Sequence, residues 1–305
     1  MSSKSRPGDD VHIPARDGFE LAGTVYAPSG TERGAVLISS ATAVPRRFYR
    51  HFAAELARAG YTAVTYDYRG IGESRPASLR GFAARTRDWG LLDMAGAVDW
   101  ASARSASVPL FMVGHSVGGQ VAGLIDNAKL IAGMATVSAQ SGYWAVQGAE
   151  QKWLVGFHVH VTFPLLTRLV GYMPWSWLGS AVDLPRGAAL EWASWCRNPE
   201  YLRGDSTLPL QRFAEFEAPV LAYSIDDDKW GTQPAVNAMM SAYPNLERRH
   251  IEPAEFGLAS LGHFGYFRAS AKPLWSDLVA WLDVCGSVVR DEAASSQETP
   301  TAASP

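Results

Sequence analysis

Short apolar runs of strand length recur along the chain and are separated by amphipathic stretches of helical length. Apolar runs without polar alternation are typical of strands buried on both faces of a sheet, and they occupy residues 34–40, 61–66, 109–112, 130–138 and 218–224. The spacing of large side chains predicts helices over 46–59 and 87–103. Strands that alternate with helices in this way pair in parallel through right-handed crossovers. The pattern therefore predicts an α/β fold with a mostly parallel central sheet flanked by helices.

The alternation stops after Ser138 and resumes at Ala218. The residues between these points are rich in tryptophan, phenylalanine, tyrosine and proline. We interpret them as an aromatic-rich, mainly helical cap inserted into the sheet domain. A last strand over 245–251 and a closing helix over 273–285 complete the sheet domain. The predicted parts are a flexible N-terminus (1–10), an α/β core (11–142 and 213–288), the cap (143–212) and a disordered tail (289–305).

Composition and charge exclude several classes of function. The 305-residue chain has a formal net charge of −3, and nothing in its composition suggests the basic patch that a nucleic-acid partner calls for. Two cysteines form no disulfide framework, and the polar N-terminus lacks the apolar core of a secretory signal, so we expect a cytoplasmic protein. The longest apolar stretch, 153–172, is interrupted by His158, His160, Pro164 and Arg168, so no membrane span is expected. A small-molecule substrate is the remaining partner class, and the oligomeric state is left open.

One short motif indicates the chemistry. Gly114-His115-Ser116-Val117-Gly118 follows a predicted strand and precedes a predicted helix. A G-x-S-x-G motif in this context is typical of a nucleophile elbow, in which a strained turn exposes the serine hydroxyl at the top of the sheet. Side chains at the two glycines would collide with the neighbouring strand and helix. We therefore predict Ser116 as the nucleophile and the N–H of Val117, at a helix N-terminus, as an oxyanion donor.

A serine nucleophile needs a histidine base and a carboxylate that orients the histidine. In this architecture, the acid and then the histidine follow the serine on loops after strands. His263 lies in a glycine-flanked loop, whereas His250 lies within a predicted strand, so His263 is the predicted base. Asp226, Asp227 and Asp228 follow the strand that ends at residue 224. The distance from the strand end favours Asp228, with Asp227 as the alternative, and at least one of the three should face solvent because adjacent buried carboxylates repel.

A second oxyanion donor should come from the loop after strand 34–40. The backbone N–H groups of Thr42 and Ala43 are the predicted donors, and Ala41 is a further candidate. Because the backbone does this work, the identity of these residues carries little information.

Other candidate residues have simpler structural explanations. His115 is expected to pack or to hydrogen-bond locally beside the nucleophile. His158 and His160 could share one face of a strand and bind a metal, but without a third ligand nearby we expect two partly buried cap histidines. Cys196 is expected to be a small buried hydrophobe. No metal site and no cofactor are predicted.

Four motifs together resemble the α/β-hydrolase fold family over residues 11–288. They are Gly114-His115-Ser116-Val117-Gly118, the turn at 67–74, the Asp226–Asp228 cluster and Gly262-His263-Phe264. The resemblance implies that the D-x-R-G-x-G-x-S turn at 67–74 is structural. The chain departs from the family where Ser40-Ala41 replaces the usual His-Gly after the third strand. Residues 40–45 and 262–268 are similar to a bacterial subgroup of predicted hydrolases, which implies no particular substrate.

The motifs predict a serine hydrolase that cleaves an ester or thioester of a hydrophobic small molecule through an acyl-Ser116 intermediate. Most cap aromatics are expected to be core, and the remainder to line the substrate pocket, with Trp144, Trp153, Trp175 and Trp177 as the candidates. An acyltransferase with the same triad is the alternative, because the sequence does not show what ends the acyl-enzyme. A non-catalytic binding protein is a minor alternative, which the intact triad argues against.

Overall fold

The computed structural model of the protein describes residues 8–177, 179 and 182–297. Its strands are β1 (Asp9–Pro14), β2 (Glu20–Tyr26), β3 (Gly34–Ser39), β4 (Tyr61–Tyr66), β5 (Leu110–His115), β6 (Gly133–Val137), β7 (Tyr172–Met173), β8 (Leu184–Pro185), β9 (Val220–Ile225) and β10 (Leu246–Ile251). Eight of them form one sheet in the order β1-β2-β4-β3-β5-β6-β9-β10. The pairs β1–β2 and β2–β4 are antiparallel, and every later pair in this order is parallel. The predicted α/β fold is therefore confirmed.

Helices cover both faces of the sheet and fill the segment between β6 and β9. They are α1 (Arg50–Arg58), α2 (Thr86–Asp88), α3 (Ala95–Arg104), α4 (Val117–Gln120), α5 (Gln151–Phe157), α6 (Phe163–Val170), α7 (Arg186–Arg197), α8 (Gln233–Met240) and α9 (Lys272–Gln297). A π-helical stretch, Trp89–Met94, joins α2 to α3, and a second one, His158–Thr162, joins α5 to α6. The cap therefore consists mainly of helices, with the short β7–β8 pair between α6 and α7.

The central strands are buried along their whole length because their sequences are apolar on both faces. Every residue of β3, β4, β5, β6 and β9 is buried. Two apolar clusters flank them, one with α1 and α9 and the other with α3 and the cap. The carboxyl ends of these parallel strands meet at one edge of the sheet, where loops can bring polar side chains together.

Two terminal predictions need correction. The closing helix α9 continues to Gln297, so the predicted disorder is wrong for residues 289–297. Residues 287–297 contain no glycine or proline and include two alanines, one glutamate, one arginine and one glutamine, which favour a helix, so nothing ends the helix there. At the other end, Asp9 and Asp10 pair with β2. The rest of the predicted tail, residues 298–305, and residues 1–7 of the predicted flexible N-terminus lie outside the described residues.

The apolar stretch of the cap is one continuous helical segment from Gln151 to Val170, and its polar residues do not interrupt it. Pro164 is tolerated because it stands at the start of α6, after the π-helical stretch. This segment is long and apolar enough to cross a membrane, and 22% of it is buried. A single helix of this kind is weak evidence for a span, so the expected absence of a span stays a prediction. Its solvent-exposed apolar side chains are Trp153, Leu154, Phe157, Val161, Leu165 and Leu169.

Candidate active site

The turn after β5 holds Ser116 in a conformation that most residues avoid. Ser116 has φ 51° and ψ −117°, directly before α4. The strand fixes this turn because the Ser116 N–H donates a hydrogen bond of 2.9 Å to the Val137 carbonyl oxygen. Ser116 is 7% exposed and borders a cavity, so its hydroxyl is accessible from that cavity while its backbone is held in place. This is the geometry predicted for a nucleophile elbow.

The two glycines of the elbow permit close backbone contacts. A Cβ atom on Gly118 would lie 2.3 Å from the carbonyl oxygen of Ser39, at the end of β3. A Cβ atom on Gly114 would lie 2.6 Å from the backbone nitrogen of Gly119, in α4. Neither backbone group can move aside without disturbing the sheet or the helix. The predicted collisions are therefore confirmed.

An aspartate after β9 pairs with a histidine after β10. Asp228 Oδ2 lies 2.8 Å from His263 Nδ1, and both side chains are buried. The other carboxylate oxygen accepts hydrogen bonds from the N–H groups of Trp230 and Gly231 at 2.9 and 2.8 Å. Burial by itself raises the pKa of Asp228, but the His263 charge and these hydrogen bonds outweigh it and hold the pKa well below its usual range. An ionised Asp228 fixes the Nδ1–H tautomer of His263 and leaves Nε2 free to accept a proton.

The neighbouring carboxylates have different roles. Asp227 accepts hydrogen bonds of 2.8 Å from the N–H groups of Leu261 and Gly262, so it holds the loop that carries His263. Asp226 is exposed, as expected for one of the three. Asp228, and not the alternative Asp227, is therefore the side chain that meets the histidine. His250, in β10, is hydrogen-bonded to Ser224 at 2.8 Å, as expected for a structural histidine.

The loop after β3 lines the same cavity and contains backbone N–H groups that are not bonded within the described structure. Thr42 and Ala43 line it beside Ser116, and their N–H groups have no acceptor among the described residues. Ala43 has a positive φ of 60°, which is unusual for alanine. Ala41 is excluded as a donor because its N–H already donates to Tyr49 Oη at 2.8 Å. The N–H of Val117, the first residue of α4, has no acceptor within the helix.

A buried hydrogen-bonded chain connects this loop to the histidine loop. His115 Nδ1 lies 2.8 Å from Tyr49 Oη, and His115 Nε2 lies 2.8 Å from the carbonyl oxygen of His263. Because a carbonyl oxygen can only accept, His115 donates from Nε2, and the Tyr49 hydroxyl donates to Nδ1. Burial, together with the nearby His263 charge, lowers the pKa of His115 to about 3, so it remains neutral. The expected local role of His115 is confirmed.

Ser116 and His263 border one cavity of about 530 Å³ between the sheet and the cap. A smaller apolar chamber of about 210 Å³ under the cap shares five of its lining residues, namely Gln140, Gly142, Trp175, Trp192 and Trp230. Leu154, Val155, Val159 and Phe163 also line this chamber. The cavity beside Ser116 and His263 therefore continues into an apolar space beneath the cap helices.

Of the four predicted substrate tryptophans, only Trp175 lines these spaces. The prediction is wrong for Trp153 and Trp177, each 67% exposed, and Trp144 packs against Trp153 instead with ring centroids 5.8 Å apart. Aromatic content alone cannot show which side of a cap helix faces inward. Sequence reasoning missed Trp192 and Trp230. The position of Trp230, two residues after Asp228, could have indicated it from the sequence. In the structure its ring centroid lies 5.8 Å from that of His263.

The remaining candidates take structural positions. His158 and His160 bond within their own helical segment, to Thr162 and to the Gly156 carbonyl oxygen. No cluster of three metal-binding side chains occurs in the described part of the chain. Cys196 is buried, as expected.

The turn at 67–74 is structural, as the resemblance implies. Asp67 accepts hydrogen bonds of 2.6 Å from the Arg46 backbone and guanidinium, and Arg69 bonds to Asp93 at 2.6 Å. The charged side chains of this turn are therefore paired within the fold and stabilise it.

A sheet of this order, with a serine at the turn after β5, an acid after β9 and a histidine after β10, defines an α/β-hydrolase. The chain belongs to the serine aminopeptidase S33 family, whose sequence profile matches residues 30–203, more than half of the chain. No curated protein matches the sequence significantly.

Solved structures share the fold at low sequence identity. A soluble variant of monoglyceride lipase from Saccharomyces cerevisiae is 15% identical with a TM-score of 0.67, covering 94% of this chain and 99% of that chain. A thermophilic esterase from Thermogutta terrifontis is 16% identical with a TM-score of 0.59, covering 91% and 99%. An esterase from Pyrococcus furiosus is 18% identical with a TM-score of 0.58, covering 92% and 91%.

Proposed function

We propose that this protein is a serine hydrolase that cleaves an ester or thioester with a hydrophobic acyl group through an acyl-Ser116 intermediate. The observation that carries the proposal is the cavity itself. It joins Ser116 and the Asp228-paired His263 to an apolar chamber of about 210 Å³ under the cap. A chamber of this size accommodates a short or medium acyl chain. The esterases and the lipase with the same fold support this class of substrate by analogy only.

The proposed reaction proceeds in two halves. Ser116 Oγ attacks the carbonyl carbon as its proton passes to His263 Nε2, and the oxyanion is stabilised by backbone N–H groups of Val117 and of Thr42 or Ala43. The intermediate collapses when His263 returns the proton to the departing alcohol or thiol. Water then attacks the acyl-enzyme with His263 as the base, and Ser116 recovers its proton as the acid leaves.

The charges around the cavity favour an acyl ester over an aminopeptidase substrate. An aminopeptidase acts on a substrate with a free α-ammonium group, which a carboxylate would stabilise. Among the described residues that line the cavity, none is an aspartate or a glutamate. We therefore expect little activity on aminoacyl p-nitroanilides compared with p-nitrophenyl esters.

A fluorophosphonate probe tests the nucleophile directly. The native protein should be labelled on Ser116, and Ser116→Ala should abolish labelling and lower kcat by roughly 10⁴–10⁶. A native protein that remains unlabelled and leaves p-nitrophenyl esters intact contradicts the proposal. Product analysis with added alcohols or amines separates hydrolysis from acyl transfer, since transfer yields the new ester or amide instead of the free acid.

A further inference from the structure

Three arginine side chains, Arg47, Arg50 and Arg268, line the catalytic cavity and are exposed. In the part of the chain that the structure describes, their guanidinium groups form no salt bridge, and Arg50 donates only to the Arg47 carbonyl oxygen, at 3.1 Å. The cavity thus carries three positive charges and no lining carboxylate, although the whole chain has a net charge of −3. The three arginines, which we call the arginine rim, repel one another and form no salt bridge that would stabilise the fold. Their arrangement is therefore better explained by binding of a ligand.

The two segments that carry these arginines pack against each other next to the base. Arg47 and Arg50 lie at the start of the helical segment that becomes α1, and Arg268 follows the loop of His263. Phe48 meets Phe264 edge to face with ring centroids 6.3 Å apart. Phe264 in turn lies 5.0 Å from the His263 ring. The arginine rim is therefore anchored beside the reacting groups.

Nearby carboxylates are already paired with other cations. A polar groove of about 640 Å³ adjoins the cavity and shares Pro45, Arg47 and Arg50 with it. Asp10, Asp67 and Glu73 in this groove all pair with Arg46, at 3.3, 2.6 and 2.7 Å. Glu55 pairs with Lys272 at 3.0 Å. None of these carboxylates is bonded to Arg47 or Arg50, so the hydrogen-bond donors of both guanidinium groups can reach a ligand.

The cavity has two chemically different ends. The apolar chamber and the arginine-lined groove share no lining residue with each other, and each shares residues with the cavity that holds Ser116. An ester bound at Ser116 can therefore extend its acyl chain into the chamber and its alcohol or thiol toward the arginines. We infer that the substrate carries an anionic group, a carboxylate or a phosphate, on its alcohol or thiol side. This inference rests on the proposed function and adds the class of leaving group.

Arginine suits such a group because its planar guanidinium binds carboxylate and phosphate oxygens in pairs. The rim is exposed, so each contact should be modest, worth about twofold to fivefold in kcat/KM. A positive rim also attracts an anion from a distance, and salt screens that attraction. Preference for the anionic substrate should therefore decline as ionic strength rises.

The test measures kcat/KM for matched substrate pairs with the native protein. One pair is 3-carboxy-4-nitrophenyl butyrate and 4-nitrophenyl butyrate, which probes a carboxylate. The other is butyryl-coenzyme A and S-butyryl-N-acetylcysteamine, which probes phosphate. The ratio of anionic to neutral kcat/KM should decrease about twofold to fivefold in each of Arg47→Gln, Arg50→Gln and Arg268→Gln, and about tenfold or more in the triple variant. The pair with the larger decrease identifies the anion.

Arg248→Gln is the matched control, because Arg248 is exposed on β10 and lines neither the cavity, the groove nor the chamber. Its ratio should equal that of the native protein.

Ratios that stay unchanged in the arginine variants overturn the inference while ester hydrolysis still supports the proposed function. A third pair, 4-nitrophenyl hydrogen succinate and 4-nitrophenyl butyrate, places the anion on the acyl side. An arginine-dependent preference found only there also overturns the inference. Hydrolysis of none of these substrates, without fluorophosphonate labelling, counts against the proposed function itself.

Discussion

The core and the cap hold their functional side chains by different means. In the core, Asp228 accepts hydrogen bonds from two backbone N–H groups and from His263, so three directional contacts fix its position. In the cap, Trp175 and Trp192 meet Phe163 through ring contacts of 5.2 and 5.6 Å between centroids. Hydrogen bonds are directional, whereas apolar contacts tolerate changes of shape. Substitutions in the core should therefore lower kcat sharply, whereas substitutions in the cap should change the preference for acyl chain length gradually.

The largest expected effect separates two adjacent aspartates of the core. Asp228→Asn should lower kcat by about 10⁴, because an amide no longer fixes the His263 tautomer or stabilises its charged form. Asp227→Asn is the matched control, since this side chain holds the backbone of the loop and does not touch the imidazole. Its loss of kcat should be much smaller. Esterase kinetics on both variants decide the point, and equal losses contradict the assignment of Asp228.

The buried histidine of the core should make stability depend on pH. The pKa of His115 is lowered to about 3 from its ordinary 6.5, so the unfolded chain binds more protons between these values. The stability contribution is therefore complete above pH 6.5 and is lost as the pH falls toward 3. Its share of the slope in the free energy of unfolding is at most about 1.4 kcal/mol per pH unit.

Urea unfolding between pH 4.5 and 7 measures this slope in the native protein and in His115→Gln. Glutamine keeps a donor and an acceptor but does not titrate. The variant should be less stable at pH 7 and less sensitive to acid. Parallel curves for the two proteins contradict a neutral, buried His115.

The smallest effect belongs to the cap. Trp192→Ala should enlarge the apolar chamber and shift the preferred acyl chain of p-nitrophenyl esters to greater length. The ratio of kcat/KM for a longer ester to that for a shorter one should change by about tenfold. Trp153→Ala is the control, because that side chain is 67% exposed and lines neither space. Its chain-length profile should match that of the native protein. A shift in both variants indicates that the cap responds as a whole.

The sequence was most informative where the chain order constrains the fold. Ser116, Asp228 and His263 follow three strands whose carboxyl ends meet at one edge, so their order alone brought them together. The choice between Asp227 and Asp228 depends on which way successive side chains point in a loop, and strand counting gave only a preference. Exclusion of Ala41 required a contact with Tyr49 from another element, which no local pattern encodes.

The cap was harder to predict for a physical reason. Its helical segment from Gln151 to Val170 is apolar around much of its circumference, so periodicity does not indicate the inward face. Trp153 therefore looked as suitable as Trp175. The extension of α9 was missed because a composition typical of disorder also contains good helix formers.

Among the contacts between the core and the cap, one reaches the loop after β3. The N–H of Val182, in the cap just before β8, donates a hydrogen bond of 3.3 Å to the carbonyl oxygen of Ala43. That carbonyl lies in the loop whose residues Thr42 and Ala43 line the cavity. A displacement of this cap segment during substrate entry would pull on the same loop. Substitutions at this junction should therefore change KM and kcat together, and steady-state kinetics of Val182→Pro, which removes the N–H, would measure the effect.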